Sequence, residues 1–280
     1  MKITTRTIHK LPDYRKVLAK ELLKLGAELT LLDGTEVISI RVKKKMSLWV
    51  GNYVPCVPYN IGMSLTNKNY IYKILAANKI PVTDAMFIYH GQPNIQKAIA
   101  SLEYPVVLKQ ENTQLAVPAI TNIQSRSQLI DSIQEMSKFG QGMLIEKHIS
   151  GNSYRVFYTQ KGLFQVLKKG FAGSMMVSSA HSALNFTEQE SYFPEADVHT
   201  SWLAFFEQVL KAFTPMPYIS FSLKCDSLAE PISRQSPVVL EVYHSANQHF
   251  SQNLCVVKEK NVSVTDTLVE QEIAKCIVES

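Results

Sequence analysis

The sequence predicts an α+β fold in which two α+β subdomains follow a small N-terminal α/β segment. Apolar residues switch between a spacing near four and a spacing of two along the chain, so helices and strands alternate. Prolines at 55 and 58 and Gly62 mark a boundary near residue 60. With 280 residues, 46% hydrophobic and 19% charged, the chain holds enough apolar material for one large globular unit or two smaller ones. Disordered and fibrous classes are thereby excluded. The expected division is 1–60, 61–141 and 142–280.

In the first segment, Pro12 and Asp13 suit a helix start, and Tyr14, Leu18, Leu22 and Leu25 share a face that Gly26 ends. Glu28–Leu32 and Thr35–Val42 read as strands around the turn dipeptide Asp33-Gly34, with Met46–Val50 as a third. A helix over Asn67–Asn78, closed by Pro81, opens the second unit. Next come a strand at Ala85–Tyr89, a helix at Ile95–Leu102, strands at Pro105–Lys109 and Ala119–Ile123, and a helix at Ser127–Lys138. The third unit begins with Met143–Glu146 and a hairpin of Tyr154–Thr159 and Leu163–Leu167. It continues with a helix at Ser201–Phe213, strands at Tyr218–Lys224 and Val238–Val242, and a closing helix at Ser263–Ile277. The Gly/Ser/Met-rich stretch Gly170–Ser182 reads as a mobile loop.

The first ten residues, MKITTRTIHK, contain no apolar run of the signal-peptide kind, and no eighteen-residue apolar stretch occurs. A cytoplasmic location without membrane insertion is expected. Cys56, Cys225, Cys255 and Cys276 are scattered, with neither C-x-x-C pairs nor zinc-finger histidine spacing, so reduced thiols are expected. The net charge of +5 is uneven, because residues 1–45 hold eleven basic and five acidic side chains. The peak, Arg41-Val42-Lys43-Lys44-Lys45, suits a solvated strand end, a patch receiving an anionic substrate, or a nucleic-acid contact. No aromatic residues are interleaved there, which argues against nucleic acid.

Four features carry candidate chemistry. Lys68 stands in the first turn of a helix, where a cation opposes the helix dipole and an anionic ligand would explain its presence. Lys109 ends the apolar strand Val106-Val107-Leu108, where a cation can project into a cleft and neutralise phosphate. Met143-Leu144-Ile145-Glu146-Lys147-His148-Ile149 runs from an apolar strand into charged residues, a backbone edge able to hold a flat heterocycle. Glu241 leaves the end of the buried strand Val238-Val239-Leu240 and needs a cation, either a metal or a lysine.

In this order and spacing the features resemble the ATP-grasp superfamily, over about residues 62 to 250. The residues carrying the likeness are Asn67-Lys68 with Lys73 and Ile80-Pro81-Val82, then Tyr104-Pro105-Val106-Val107-Leu108-Lys109. Leu144-Ile145-Glu146-Lys147-His148-Ile149 with Gly151 and Tyr154-Arg155-Val156 follow, and Val239-Leu240-Glu241 completes the set. They look similar to the ATP-grasp modules of cyanophycin synthetase and bifunctional glutathione synthetase. The resemblance implies two α+β subdomains gripping ATP, and a carboxylate–amine ligase that activates its acid, an amino acid or short peptide, as an acyl phosphate. Under it Lys68 and Lys109 would contact phosphates, and Glu146, Lys147 and Ile149 would line the adenine pocket. Arg155 and one of Lys168 or Lys169 would offset charge on the transferring phosphoryl group, and Glu241 would hold magnesium.

Departures fall on the same chemistry. After Lys109 the expected glycine-rich loop reads Gln110-Glu111-Asn112-Thr113-Gln114-Leu115-Ala116-Val117-Pro118, and proline has no N–H to donate. Ser153 stands for the ribose carboxylate, Ser222 for a metal carboxylate with Asp226 nearby, and Tyr243 for a metal-binding asparagine. His244, Asn247 and His249 are candidate substitutes. The alternative expectation is a pseudoenzyme that retains the scaffold to bind nucleotide or protein, beside an active ligase or as a homodimer.

Overall fold

The computed structural model describes residues 1–51, 53–113, 117–162, 164–170, 189–193, 195–243 and 268–279. β1 (Lys2–Ile3), β2 (Glu28–Leu31), β3 (Val37–Val42) and β4 (Lys45–Val50) form an antiparallel sheet in that order, with α1 (Asp13–Lys24) between β1 and β2. Leu18 and Leu22 bury the inner face of α1. Gly26, at φ +81°, turns the chain out through the left-handed region that glycine enters at no steric cost. Leu25 was expected on that face but is exposed, because it caps the helix beyond its last full turn. The boundary read near residue 60 holds a short helix, α2 (Tyr59–Ser64). At its Gly62 a Cβ would stand 3.1 Å from the Tyr53 ring, a tight fit to which the ring would have to yield by a few tenths of an ångström.

α3 (Lys68–Ala77) starts at Asn67, whose side chain accepts from the N–H groups of Asn69 at 2.8 Å and Tyr70 at 3.3 Å. β5 (Ala85–Tyr89), α4 (Ile95–Ala98), β6 (Val106–Gln110), β7 (Ile120–Ile123), α5 (Arg126–Ser137) and β8 (Gly142–Lys147) follow. Their strands form an antiparallel sheet ordered β5-β8-β6-β7. The helix expected over Ile95–Leu102 is divided, α4 passing into a 3-10 turn at Ile99–Ser101. β8, assigned from sequence to the third unit, pairs inside this sheet between β5 and β6.

β9 (Asn152–Thr159), β10 (Phe164–Gly170), β11 (Gln189–Phe193), β12 (Tyr218–Cys225) and β13 (Val238–Tyr243) make an antiparallel sheet ordered β11-β10-β9-β12-β13. β11 has no counterpart among the sequence-predicted elements. α6 (Ser201–Lys211) covers one face, its Phe206 ring meeting Tyr158 and Phe221. α7 (Leu268–Glu279) packs against α1, so the last element rests on the first segment. The expected helix start at 263–267, and the Gly/Ser/Met-rich stretch from 171 on, lie outside the described residues.

Two cores result. A large one joins the N-terminal sheet, α3, α6, α7 and the five-stranded sheet; a small one lies between α4, α5 and the β5-β8-β6-β7 sheet. β8 serves both through its period of two, Leu144 facing the large core while Met143 and Ile145 face the small one. No helix among the described residues is long and apolar enough to cross a membrane.

Candidate functional site

The face of β8 that carries Leu144 also carries Glu146, and β6 registers Val107 opposite Glu146 and Lys109 opposite Leu144. Lys109 therefore lies diagonally across from Glu146, and its Nζ donates to Glu146 Oε2 at 2.8 Å. The other oxygen accepts from the Tyr72 hydroxyl at 2.6 Å. Glu146 is only 3% exposed, so these two donors replace the water it would otherwise bind. The same hydroxyl lies 3.0 Å from the Leu240 carbonyl oxygen, an alternative acceptor for its single hydrogen that places α3 beside β13. One helical turn earlier Lys68 shares its face, and its Nζ stands 3.5 Å from Glu241 Oε1.

The five-stranded sheet supplies the opposite wall. Arg155, Ser222 and Glu241 lie directly across from one another on β9, β12 and β13. Arg155 is buried, with its guanidinium carbon 5.1 Å from the centroid of the Tyr243 ring. The Tyr243 hydroxyl donates to Glu241 Oε2 and lies 3.4 Å from Ser222 Oγ. Lys224, two residues beyond Ser222, donates to the Ile149 carbonyl. Lys68, Lys109, Arg155 and Lys224 thus face two carboxylates, Glu146 and Glu241, across elements far apart in sequence. A polyanion is the ligand such a charge excess suits.

Burial works against the Lys109 ammonium, but Glu146 and Glu241 outweigh it and hold the pKa above the ordinary lysine value. Burial, followed by the charge of Lys109, lowers that of Lys224. Burial first, then Glu146 for Tyr72 and Glu241 for Tyr243, pushes both hydroxyls well up. An unfolded chain ionises these tyrosines near pH ~10 while the folded chain keeps them protonated, so stability falls as pH rises above that value. Lys109 acts in the same direction, its contribution being lost as pH climbs through its raised folded-state pKa. Urea midpoints followed by tryptophan fluorescence are expected to fall steeply between about pH 10 and 11. A midpoint unchanged at about pH 11 contradicts the burial assigned to this cluster.

Lys68, Lys109, Glu146, Arg155 and Glu241 are brought together. The anion expected at the start of α3 is not what satisfies its N–H groups: Lys68 donates to the Glu111 carbonyl at 2.9 Å, and Asn67 takes the next two. The cationic side chain is there for Glu241. The Lys147 side chain is turned away from Glu146 by the period of two, to an exposed ion pair with Glu103 at 3.0 Å. Nor is the Glu146–Ile149 edge free: Lys147 and His148 donate their N–H groups to the Asp84 and Pro105 carbonyls. Ile149 is placed at the crevice by the Lys224 contact to its carbonyl. Lys169 takes the register position opposite Ser153, in the row that includes Lys224, whereas Lys168 is opposite Tyr154. Lys73 is exposed on the outer face of α3. Ala116, His244, Asn247 and His249 lie outside the described residues.

Tyr72 and Lys224 escaped the sequence reading. A tyrosine four residues after Lys68 was a usable signal, since that spacing places both on one helical face. Lys224 ends an apolar strand just as Lys109 does. Magnesium, assigned to Glu241 by resemblance, does not fit the described residues. Lys68 and Tyr243 approach both oxygens of Glu241, Ser222 offers only a hydroxyl, and no group of three His, Cys, Asp or Glu side chains among the described residues is placed to hold a metal. A surface pocket of about 280 Å³, lined by Cys56, Lys161, Glu272 and Cys276 among others, shares no residue with this cluster.

No family model matches the chain, and neither does any curated protein. Solved structures do. D-alanine–D-alanine ligase from Bacillus anthracis is similar with a TM-score of 0.55 and 15% identity, over 77% of this chain and 66% of the ligase. L-amino acid ligase from Bacillus licheniformis gives a TM-score of 0.52 and 18% identity, over 78% of this chain and 50% of that one. The ATP-grasp ligase PsnB, complexed with minimal precursor, gives 0.51 and 12%, over 79% and 61%. The chain thus spans between half and two thirds of the length of these neighbours. With helices set around antiparallel sheets, the fold of this chain is that of the ATP-grasp ligases.

Proposed function

We propose that the crevice binds the triphosphate of ATP and that the chain is a diverged ATP-dependent carboxylate–amine ligase acting on an amino acid or short peptide. One observation carries the reading: Lys68, Lys109, Arg155 and Lys224 approach one another from α3, β6, β9 and β12 within this fold. Lys68 and Lys109 receive phosphate oxygens, Glu146 and Ile149 border the base, and Arg155 with Lys169 offsets charge on the transferring group. ATP would supply the phosphoryl group that activates the acid before the amine attacks. Fixed positive groups in a partly buried site stabilise such charge without reorganising at the moment of reaction. The similarity to cyanophycin synthetase and bifunctional glutathione synthetase modules belongs to the same proposal.

A second reading, a nucleotide-binding module without catalysis, is favoured by Tyr243. Its hydroxyl takes an oxygen of Glu241 at the position where the resemblance expects a metal-binding asparagine. Calorimetric titration with ATP, together with an ADP-release assay over an amino-acid panel, separates the two. ATP binding is expected, and Lys68→Met is expected to weaken it by roughly 10-fold to 100-fold, the range for losing a charge-assisted hydrogen bond. ADP release with a matched acid and amine supports the ligase. Binding without any release leaves the second reading, and absence of binding removes both.

A further inference from the structure

We propose that the crevice takes its nucleoside triphosphate as the metal-free anion, with protein cations in the place of magnesium and Glu241 serving as counter-ion to Lys68 rather than as a metal ligand. The proposal rests on the nucleotide-binding reading and deepens it by fixing the ionic form of the ligand.

Three features of the Glu241 surroundings carry it. Lys68 Nζ stands 3.5 Å from Oε1, where a magnesium ion would have to displace it. The Tyr243 hydroxyl donates to Oε2, which directs a hydrogen rather than a lone pair at the remaining oxygen. The Arg155 guanidinium, 5.1 Å from the Tyr243 ring centroid, adds a further positive charge beside the place a dication would occupy.

Magnesium demands near-octahedral oxygen ligation and is held through one or two carboxylates plus phosphates. The residue directly across from both Arg155 and Glu241 is Ser222, a neutral hydroxyl. Lys224 then brings a fourth cation to the same end of β12 and β9, close enough to Lys109 for the two charges to repel. Glu146 and Glu241 offset the Lys109 charge, and further negative charge would also relieve the repulsion between Lys109 and Lys224. A triphosphate supplies it, and one without magnesium supplies more.

Calorimetric titration of the full chain with ATP, once in EDTA and once in excess magnesium, tests this. The dissociation constant in EDTA is expected to lie within about threefold of that in magnesium, or below it. Tightening of about tenfold or more on adding magnesium overturns the proposal while leaving nucleotide binding intact. Failure to bind under both conditions overturns the nucleotide reading and the proposal with it.

Glu241→Gln supplies the second arm, because it removes a negative charge facing the phosphates and frees Lys68. Its affinity for ATP in EDTA is expected to rise about 3-fold to 10-fold. Weaker binding of this variant, confined to the magnesium condition, would instead identify Glu241 as a metal ligand. Should Glu241→Gln not fold, the wild-type comparison decides alone.

Discussion

Replacing Lys109 by methionine is expected to lower the unfolding free energy by about 3–5 kcal/mol, the cost of removing one partner of a buried ion pair. Glu146 is 3% exposed and, among the described residues, accepts from two side-chain donors, Lys109 at 2.8 Å and the Tyr72 hydroxyl at 2.6 Å. Without Lys109 the carboxylate keeps the neutral Tyr72 donor and loses the cation in contact with it, while Lys224 donates to the Ile149 carbonyl. Adding Glu146→Gln should recover most of the loss. Urea denaturation at about pH 7 measures it. A deficit below about 1 kcal/mol at pH 7 would mean that the pair is solvated and that the crevice is open to water at Glu146.

Phe206→Ala is expected to cost a similar amount, about 3–5 kcal/mol, by a different mechanism. The ring is fully buried, with centroids of Phe221 at 5.8 Å, Tyr158 and Phe164 at 6.0 Å and Trp202 at 6.3 Å. Edge-to-face pairs with Tyr158 and Phe221 add to the area it buries. The four remaining rings collapse poorly into the vacated space, so the cavity term stays large. Phe206 rests on the face of β9 and β12 opposite the one carrying Arg155 and Lys224, so the aromatic layer holds the backbone from which the cations project. Loss of about 6–15 °C in melting temperature is expected, with Phe206→Leu losing less than half of it. A loss of about 2 °C or less for Phe206→Ala would show that the layer repacks.

Elements with strong local signals were legible. Leu18 and Leu22 on α1, Ile71 and Leu75 on α3 and the strand Ala85–Tyr89 fall where periodicity places them. Misreadings occurred where distant pairing decides. β8 looks like the start of a new unit because a glycine turn follows it, yet its partners β5 and β6 precede it. The direction of the Lys147 side chain was legible: the period of two that turns Glu146 inward turns Lys147 outward, to Glu103.

Sequence alone determined the α+β class, the helix start at Lys68 and the strands that carry Lys109 and Glu241, which run on to Gln110 and Tyr243, because hydrophobic period and helix caps act between residues a few positions apart. Tertiary structure decided which charges meet. Lys109 and Glu146 are 37 residues apart in the chain, and Lys68 and Glu241 belong to different layers, so only sheet register and the lie of α3 could bring each pair within contact. The neighbours that reach the two oxygens of Glu241, Lys68 and Tyr243, are likewise set by tertiary packing and sheet geometry.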